Sequence, residues 1–168
     1  MPTLVFKGDA PDVAHVFTIT LTAYDATTTY KITINGKVVS QIGTGGTVTT
    51  TATAFTTALN ASTIPEFAEI TWSSAAGVIT GTGDTAGVPH AEAAYVGNTN
   101  GVVSSVSGGA GTIGAVTTTT APTGPNWWIA ANFDTLTLPV AGATVYFRNS
   151  IVPLKYGLSQ AGATLAAL

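Results

Sequence analysis

The sequence contains no cysteine, which excludes disulfide bridges and thiolate metal sites. Charge is also scarce, because only 8% of the 168 residues are charged, against about 25% in an ordinary soluble domain. The basic residues are dispersed along the chain, at Lys7, Lys31, Lys37, Arg148 and Lys155. Nucleic-acid binders need clustered lysine and arginine to neutralise phosphates, and membrane-surface helices need a basic face. We therefore expect binding to neither nucleic acid nor membranes.

Long apolar segments are missing as well. No run approaches the roughly 18 apolar residues that a membrane-spanning helix requires. Residues 1–10 show no charged start followed by an apolar stretch, so no secretory signal peptide is visible. These absences favour a product made in the cytoplasm, and they also fit an exported protein whose leader has been removed.

Threonine is abundant where charge is scarce. About 32 residues are threonine, and valine, alanine and glycine are also frequent. Threonine and valine are branched at Cβ and favour strands. The composition predicts a mainly β fold, which we expect to be a β-sandwich-like α+β module with one short helix, followed by a short β-rich tail.

Alternation of apolar and polar residues locates the strands. Residues 13–24 place Phe17, Ile19 and Leu21 on one face and threonines on the other. Asn35-Gly36 separates two alternating segments and predicts a type I′ hairpin, because both turn residues need a positive φ. Further strands are expected at residues 3–7, 47–51, 67–73, 78–82 and 92–96.

The best helix candidate covers residues 52–61, where Phe55 and Leu59 lie four apart on one side. Thr51 or Thr53 is suited to cap its start, and Pro65 follows its end.

A composition change predicts where the chain divides. Glycine, threonine and proline dominate residues 97–125, and Thr117–Thr120 suggests a linker or an extended edge. We place a boundary near Pro122, between a β-rich core module (1–121) and a β-rich extension or assembly segment (122–168).

Candidate catalytic groups are few. Asp84 and Glu92 flank His90, but we interpret both His90 and His15 as surface residues beside turns. A Ser-His-Asp arrangement stays open because it is spatial. Glu66 and Glu69 are interpreted as a solvated face rather than a glycosidase pair. The glycines at 109, 111 and 114 match a dinucleotide loop, but the segment after them is a poor helix. We expect no enzyme activity, no cofactor and no metal.

Aromatic residues in the tail are the best candidates for contacts with a partner. Adjacent residues on a strand point to opposite faces, so one of Trp127 and Trp128 can fill a core while the other meets a partner. Phe133 and Tyr146 are further candidate interface or ligand contacts. We favour a core or subunit interface over stacking on a sugar.

Four segments follow one another in a characteristic order. They are TYKITINGKVV (29–39), ALNAS (58–62), PEFAEITW (65–72) and GDTAGVP (83–89). This set, which covers less than half of the chain, resembles a module of phage and prophage structural proteins. In those proteins a hairpin, a short helix, a strand with Trp and an Asp-Thr-Ala-Gly-Val-Pro turn also follow in this order.

A second pair of segments lies in the tail. GPNWWIAANFD (124–134) and LPVAGATVYF (138–147) are similar to the Asn-Trp motif that opens parallel β-helices in adhesins and tail fibres. Phe133 stands where a Trp is usual, and Ala143 stands where an Asp often follows the glycine.

These resemblances imply a non-enzymatic structural component of a phage-like virion, made in the host cytoplasm. It would assemble with copies of itself and with other virion proteins, as a fibre or spike head, a decoration protein, or a shell or tube subunit. Residues 1–12 and 112–123 are expected to reach a neighbour by strand addition. The alternative is a glycan-binding adhesion module of a bacterial surface or tail protein, located extracellularly or at the cell surface.

Overall fold

A computed structural model describes residues 2–97, 110–125 and 129–147 of the chain. Within these ranges there are ten strands, two α-helices and a 3₁₀ turn at Ala130–Asn132. The strands are β1 (Thr3–Phe6), β2 (Val16–Ala23), β3 (Thr29–Ile34), β4 (Lys37–Ile42), β5 (Ile70–Ala75), β6 (Val78–Gly83), β7 (Glu92–Gly97), β8 (Thr112–Ile113), β9 (Thr117–Thr120) and β10 (Thr144–Phe147). The helices are α1 (Val48–Asn60) and α2 (Pro65–Ala68).

The chain divides into two compact units. Residues 14–121 form one, here called the core unit, and residues 1–13 and 122–168 form the other, the terminal unit. The division at residue 122 lies at the predicted boundary, but residues 1–13 do not group with the core module as we expected. They join the tail because β1 pairs in parallel with β10.

The described part of the core unit contains two antiparallel sheets. In the larger sheet β2 is central, with β6 and then β5 on one side and with β8 and β9 on the other. The smaller sheet has the order β4-β3-β7. The predicted alternation in β2 is confirmed, because Phe17, Ile19 and Leu21 are buried while the threonines between them are more exposed. The predicted mainly β, sandwich-like α+β fold is also confirmed.

The predicted hairpin is present between β3 and β4. Asn35 and Gly36 have φ values of 48° and 81°, which is the left-handed region that a type I′ turn requires. Ile34 and Lys37 close the turn.

The helix α1 starts four residues earlier than predicted, and the strand expected at residues 47–51 is wrong. The Thr47 hydroxyl accepts the backbone N–H of Thr50 at 3.1 Å and caps the helix. The Thr51 side chain is buried and both accepts from the N–H and donates to the carbonyl of Thr44, each at 2.9 Å. These side-chain hydrogen bonds outweigh the β preference of threonine.

The segments around the helix also differ in part from expectation. Residues 65–68 form α2 instead of the start of a strand, since proline fits the first turn of a helix. Thr117–Thr120 is the strand β9, which pairs with β2. The strands β1, β8 and β9 each pair with one strand within the chain, and the expected strand addition to a neighbour by residues 1–12 and 112–123 stays a prediction.

One hydrophobic cluster holds the core unit together. It joins Phe55 and Leu59 of α1 to apolar side chains from both sheets. The rings of Phe17 and Trp72 meet edge to face, with 5.6 Å between their centroids. Within the described ranges, neither helix is long and apolar enough to span a membrane.

The terminal unit has a much smaller cluster, made by Leu4, Phe6, Phe133, Ala143 and Val145. The buried side chain of Asn132 organises the backbone around it. Its Oδ1 accepts the N–H of Ala10 at 2.8 Å, and its Nδ2 donates to the carbonyl of Gly124 at 2.6 Å. One amide side chain therefore ties the N-terminal segment to the tail.

Candidate functional site

Of the four aromatic residues predicted as contacts, Phe133 and Tyr146 are described, and they occupy different environments. Trp127 and Trp128 lie outside the described residues. Phe133 is fully buried and packs edge-on against Phe6, with 5.4 Å between ring centroids, so it belongs to the core of the terminal unit and is not a surface contact. Tyr146 on β10 is 59% exposed and is accessible to a partner.

The core unit brings together polar side chains that are distant in sequence. His15 precedes β2, His90 precedes β7, and Glu92 is the first residue of β7. The two imidazole rings stack with 6.0 Å between centroids. Only 4% of His15 and 6% of His90 is exposed, so the expectation that both histidines lie at the surface is wrong.

Both nitrogens of the His15 ring have polar neighbours. Nδ1 accepts the backbone N–H of His90 at 3.2 Å, so in this arrangement Nδ1 carries no proton. Nε2 carries the proton and lies 3.4 Å from Glu92 Oε1 and 3.5 Å from the Thr118 hydroxyl. The Thr118 hydroxyl donates to the same Glu92 oxygen at 3.4 Å. These contacts link the beginning of β2 to β9 and to β7 of the smaller sheet.

This geometry does not match a nucleophile relay. A Ser-His-Asp triad needs the carboxylate on one ring nitrogen and the nucleophile on the other. Here Glu92 and Thr118 share Nε2, while a backbone N–H occupies Nδ1. His15 therefore does not take the proton of the Thr118 hydroxyl. Among the described residues, no group of three or more histidines and carboxylates is placed to hold a metal ion.

The His90 ring is buried without hydrogen bonds. Neither ring nitrogen has a partner within the described part of the chain. The ring lies against Gly83, where a Cβ would come within 2.9 Å of Nε2. Burial lowers the pKa of His90, and the nearby His15 lowers it further. The carboxylates of Glu69 and Asp84 act on this pKa in the opposite direction.

A cavity of about 240 Å³ adjoins His90 and is also lined by Glu69, Thr85 and Val88. Glu69 is the one carboxylate among these lining residues. Glu66 lies on α2 and is half-buried, while Glu69 is exposed. The cavity thus lacks the paired carboxylates that glycoside hydrolysis uses, and Glu66 differs from the solvated face that we expected.

The glycine-rich segment has no nucleotide-binding geometry in its described part. A Cβ on Gly111 would come within 2.5 Å of the Tyr30 hydroxyl, so this glycine packs closely against the core. The strand β8 follows it directly. A dinucleotide loop requires the N-terminus of a helix at this point. Gly109 lies outside the described residues.

One signal in the sequence indicates the burial of His15. It has the same alternation phase as Phe17, Ile19 and Leu21, which form the buried face of β2. Nothing comparable identifies His90, which contacts His15 across 75 positions of the chain.

Comparison with known proteins identifies no relative of this chain. No known protein family matches the chain, and no curated protein matches it significantly in sequence. What the chain does is therefore inferred from its own surfaces and contacts.

Proposed function

We propose that the chain is a non-enzymatic structural subunit of a phage-like virion, which assembles with copies of itself and with other virion proteins. It is made in the host cytoplasm and resides in the virion as a fibre or spike head, a decoration protein, or a shell or tube subunit. The scarcity of charge supports this proposal, because surfaces with few charges are cheap to desolvate when subunits pack.

The observation that carries the proposal is the apolar surface of the terminal unit. Five large apolar side chains within residues 136–147 are at least 39% exposed, namely Leu136, Leu138, Val140, Tyr146 and Phe147. Exposed apolar side chains concentrated in one segment favour an interaction site, although Tyr146 and Phe147, which are adjacent on β10, lie on opposite faces of that strand. We assign this surface to contacts between copies of the chain.

The pairing of β1 with β10 supports the same proposal. The two strands are parallel and in register from Thr3 opposite Thr144 to Phe6 opposite Phe147. Parallel sheets normally bury both faces, and two strands alone are marginally stable. Stacked parallel strands are also the element from which β-helical fibres are built, in keeping with the resemblance of residues 124–147.

The first experiment measures the absolute mass of the purified chain by light scattering after size exclusion, with negative-stain imaging of the peak. We expect a closed oligomer or a larger particle. The variant Leu136→Asn, Leu138→Thr, Val140→Thr should assemble less, since it removes exposed apolar area, and asparagine tolerates the positive φ of Leu136. The control variant Thr135→Ser, Thr137→Ser changes the same loop and keeps its hydroxyl pair. A monomer at every concentration would contradict the proposal.

The exposed ring of Tyr146 favours one second candidate, a glycan-binding adhesion module. Sugars stack on exposed aromatic rings through their apolar faces. Titration with a panel of mono- and oligosaccharides, followed by tyrosine and tryptophan fluorescence, tests this candidate. A saturable change that is lost in Tyr146→Ala would favour it over the structural role.

A further inference from the structure

The strand β4 is an edge whose outward backbone groups are available for pairing. In an antiparallel ladder, residue pairs alternate between hydrogen-bonded and non-bonded. Because Ile34 and Lys37 close the hairpin, residues 37, 39 and 41 bond to β3, while residues 38, 40 and 42 direct their N–H and C=O groups away from it. Within the described part of the chain, no strand pairs with this side of β4. The carbonyl of Ile42 accepts the side-chain amide of Gln41 at 2.9 Å.

The outer edge of β5 in the larger sheet is hydrogen-bonded to a side chain, whereas the outer side of β4 has no such cap at its centre. Asn60, at the end of α1, donates to the Trp72 carbonyl at 2.9 Å and accepts the Trp72 N–H at 3.1 Å. Its amide thus takes the place of a neighbouring strand at the centre of β5. Edges are commonly protected by charged residues, proline or bulges. Between its ends, β4 has no proline and no charge, and its ladder with β3 runs without interruption.

We propose that β4 pairs antiparallel with β4 of a second copy of this chain, and that Ser40 faces Ser40 of that copy on the two-fold axis. The proposed self-assembly underlies this inference, which names the surface of the core unit that takes part. In this register the outward groups of residues 38, 40 and 42 meet those of residues 42, 40 and 38. The three pairs make two hydrogen bonds each, for which the Ile42 carbonyl, already accepting the Gln41 amide, uses its second lone pair. The two small sheets become one continuous sheet.

The side chains of β4 fit a second copy in this register. Val38 and Ile42, which are 42% and 50% exposed, come to lie opposite each other across the interface. Pairs of β-branched side chains stabilise antiparallel strands. The one charged residue of β4, Lys37, lies six positions from its equivalent, or roughly 20 Å at about 3.4 Å per residue. That separation exceeds the Debye length of about 8 Å at physiological salt, so the two lysines do not oppose pairing.

Opposite charges at position 40 test this register directly. Ser40 is exposed and lies opposite the buried Lys31 of β3, so Ser40→Lys and Ser40→Glu place like charges on the axis while Lys31 repels the first and attracts the second within the monomer. Weaker association of both variants therefore reports on the axis and not on Lys31, and circular dichroism checks that both stay folded. We expect each variant alone to associate at least about tenfold more weakly than the original chain in sedimentation, and an equimolar mixture to recover a 1:1 complex by native mass spectrometry. Ser73→Lys on β5, which is also an exposed strand serine, is the matched control and should associate normally.

A cysteine at position 40 gives a second test, because the chain has no cysteine of its own. Cα atoms of a bonded antiparallel pair lie about 5.5 Å apart, which suits a disulfide. Mild oxidation should crosslink Ser40→Cys into dimers and leave Ser73→Cys monomeric under denaturing conditions.

The outcomes separate this inference from the proposed function. If the original chain assembles but neither position-40 charge variant changes the assembly, the β4 register is wrong and self-assembly stands. If the original chain is monomeric at every concentration, both are wrong. If the charge variants dissociate and their mixture reassociates, the register is correct whatever the virion location.

Discussion

Replacing Gly81 with alanine tests the packing at the centre of the larger sheet. Gly81 lies between Phe17 on β2 and Trp72 on β5, and a Cβ at this position would come within 2.5 Å of Phe17 Cζ. The Phe17 ring is fully buried, with Trp72 and the ring of His15 in contact, so it has little room to move. Overpacking of this kind costs about 1–3 kcal/mol.

Two opposing effects decide whether Gly81→Ala raises or lowers the free energy of unfolding. Alanine in place of a strand glycine restricts the unfolded chain and, without a clash, stabilises by about 0.5–1 kcal/mol. We expect the clash to dominate and Gly81→Ala to lose about 1–2 kcal/mol in urea unfolding followed by circular dichroism. Gly114→Ala is the control, because its Cβ would meet only the Thr20 carbonyl at an ordinary 3.5 Å.

A double-mutant cycle with Phe17→Leu isolates the clash. Leucine lacks the ring atom that the new Cβ would meet, so Gly81→Ala should cost less, or nothing, in the Phe17→Leu background. We expect a coupling free energy of about 1 kcal/mol. A neutral or stabilising effect of Gly81→Ala in the original chain would refute this account of how the two rings cover the glycine.

Three further substitutions address other parts of the fold. Asn132→Ala leaves the buried N–H of Ala10 without its acceptor, which costs about 3 kcal/mol of stability. Hydrogen exchange of the Ala10 amide should become about a hundredfold faster, and unchanged exchange would contradict this role of Asn132. Burial lowers the pKa of His90, so the unfolded chain binds the proton more readily than the folded chain. The free energy of unfolding should therefore fall as the pH drops below about 6.5. His90→Leu should flatten this pH dependence, and an unchanged slope would count against the role of His90. Asn60→Ala leaves the backbone N–H and C=O of Trp72 without their partner, which should cost about 1–2 kcal/mol of stability. Because this opens the β5 edge, self-association in sedimentation should increase, and reduced association would contradict the protective role of Asn60.

Sequence patterns correctly predict those strands and turns whose geometry is set by neighbouring residues. The alternation of β2 and the Asn35-Gly36 turn are read correctly because side-chain period and backbone φ are set by neighbouring residues. The start of α1 is misread because Thr47 and Thr51 have β-branched side chains, yet their hydroxyls bond to nearby backbone groups. Intrinsic preference and side-chain hydrogen bonding oppose each other there, and the composition alone favours the wrong one.

The long-range features could not be derived from spacing. The contact of His15 with Glu92 and the pairing of β1 with β10 depend on how separate segments come together. No local signal specifies which strands become neighbours when no tight turn joins them. The burial of His15 is the exception, since its place in the alternation of β2 already indicates the core-facing side.

Two edge strands of the core unit, β5 of the larger sheet and β4 of the smaller sheet, differ in what a second chain would meet there. At β5, Asn60 bonds to both outward groups of Trp72, so a second chain would have to displace two hydrogen bonds to pair there. At β4, the outward groups of Val38 and Ser40 are next to exposed β-branched side chains and lack such a cap. The free energy of strand pairing is therefore more favourable at β4 than at β5. A contact of β4 with β4 of a second copy uses the same edge in both chains, so it closes as a two-fold pair and does not extend into a filament.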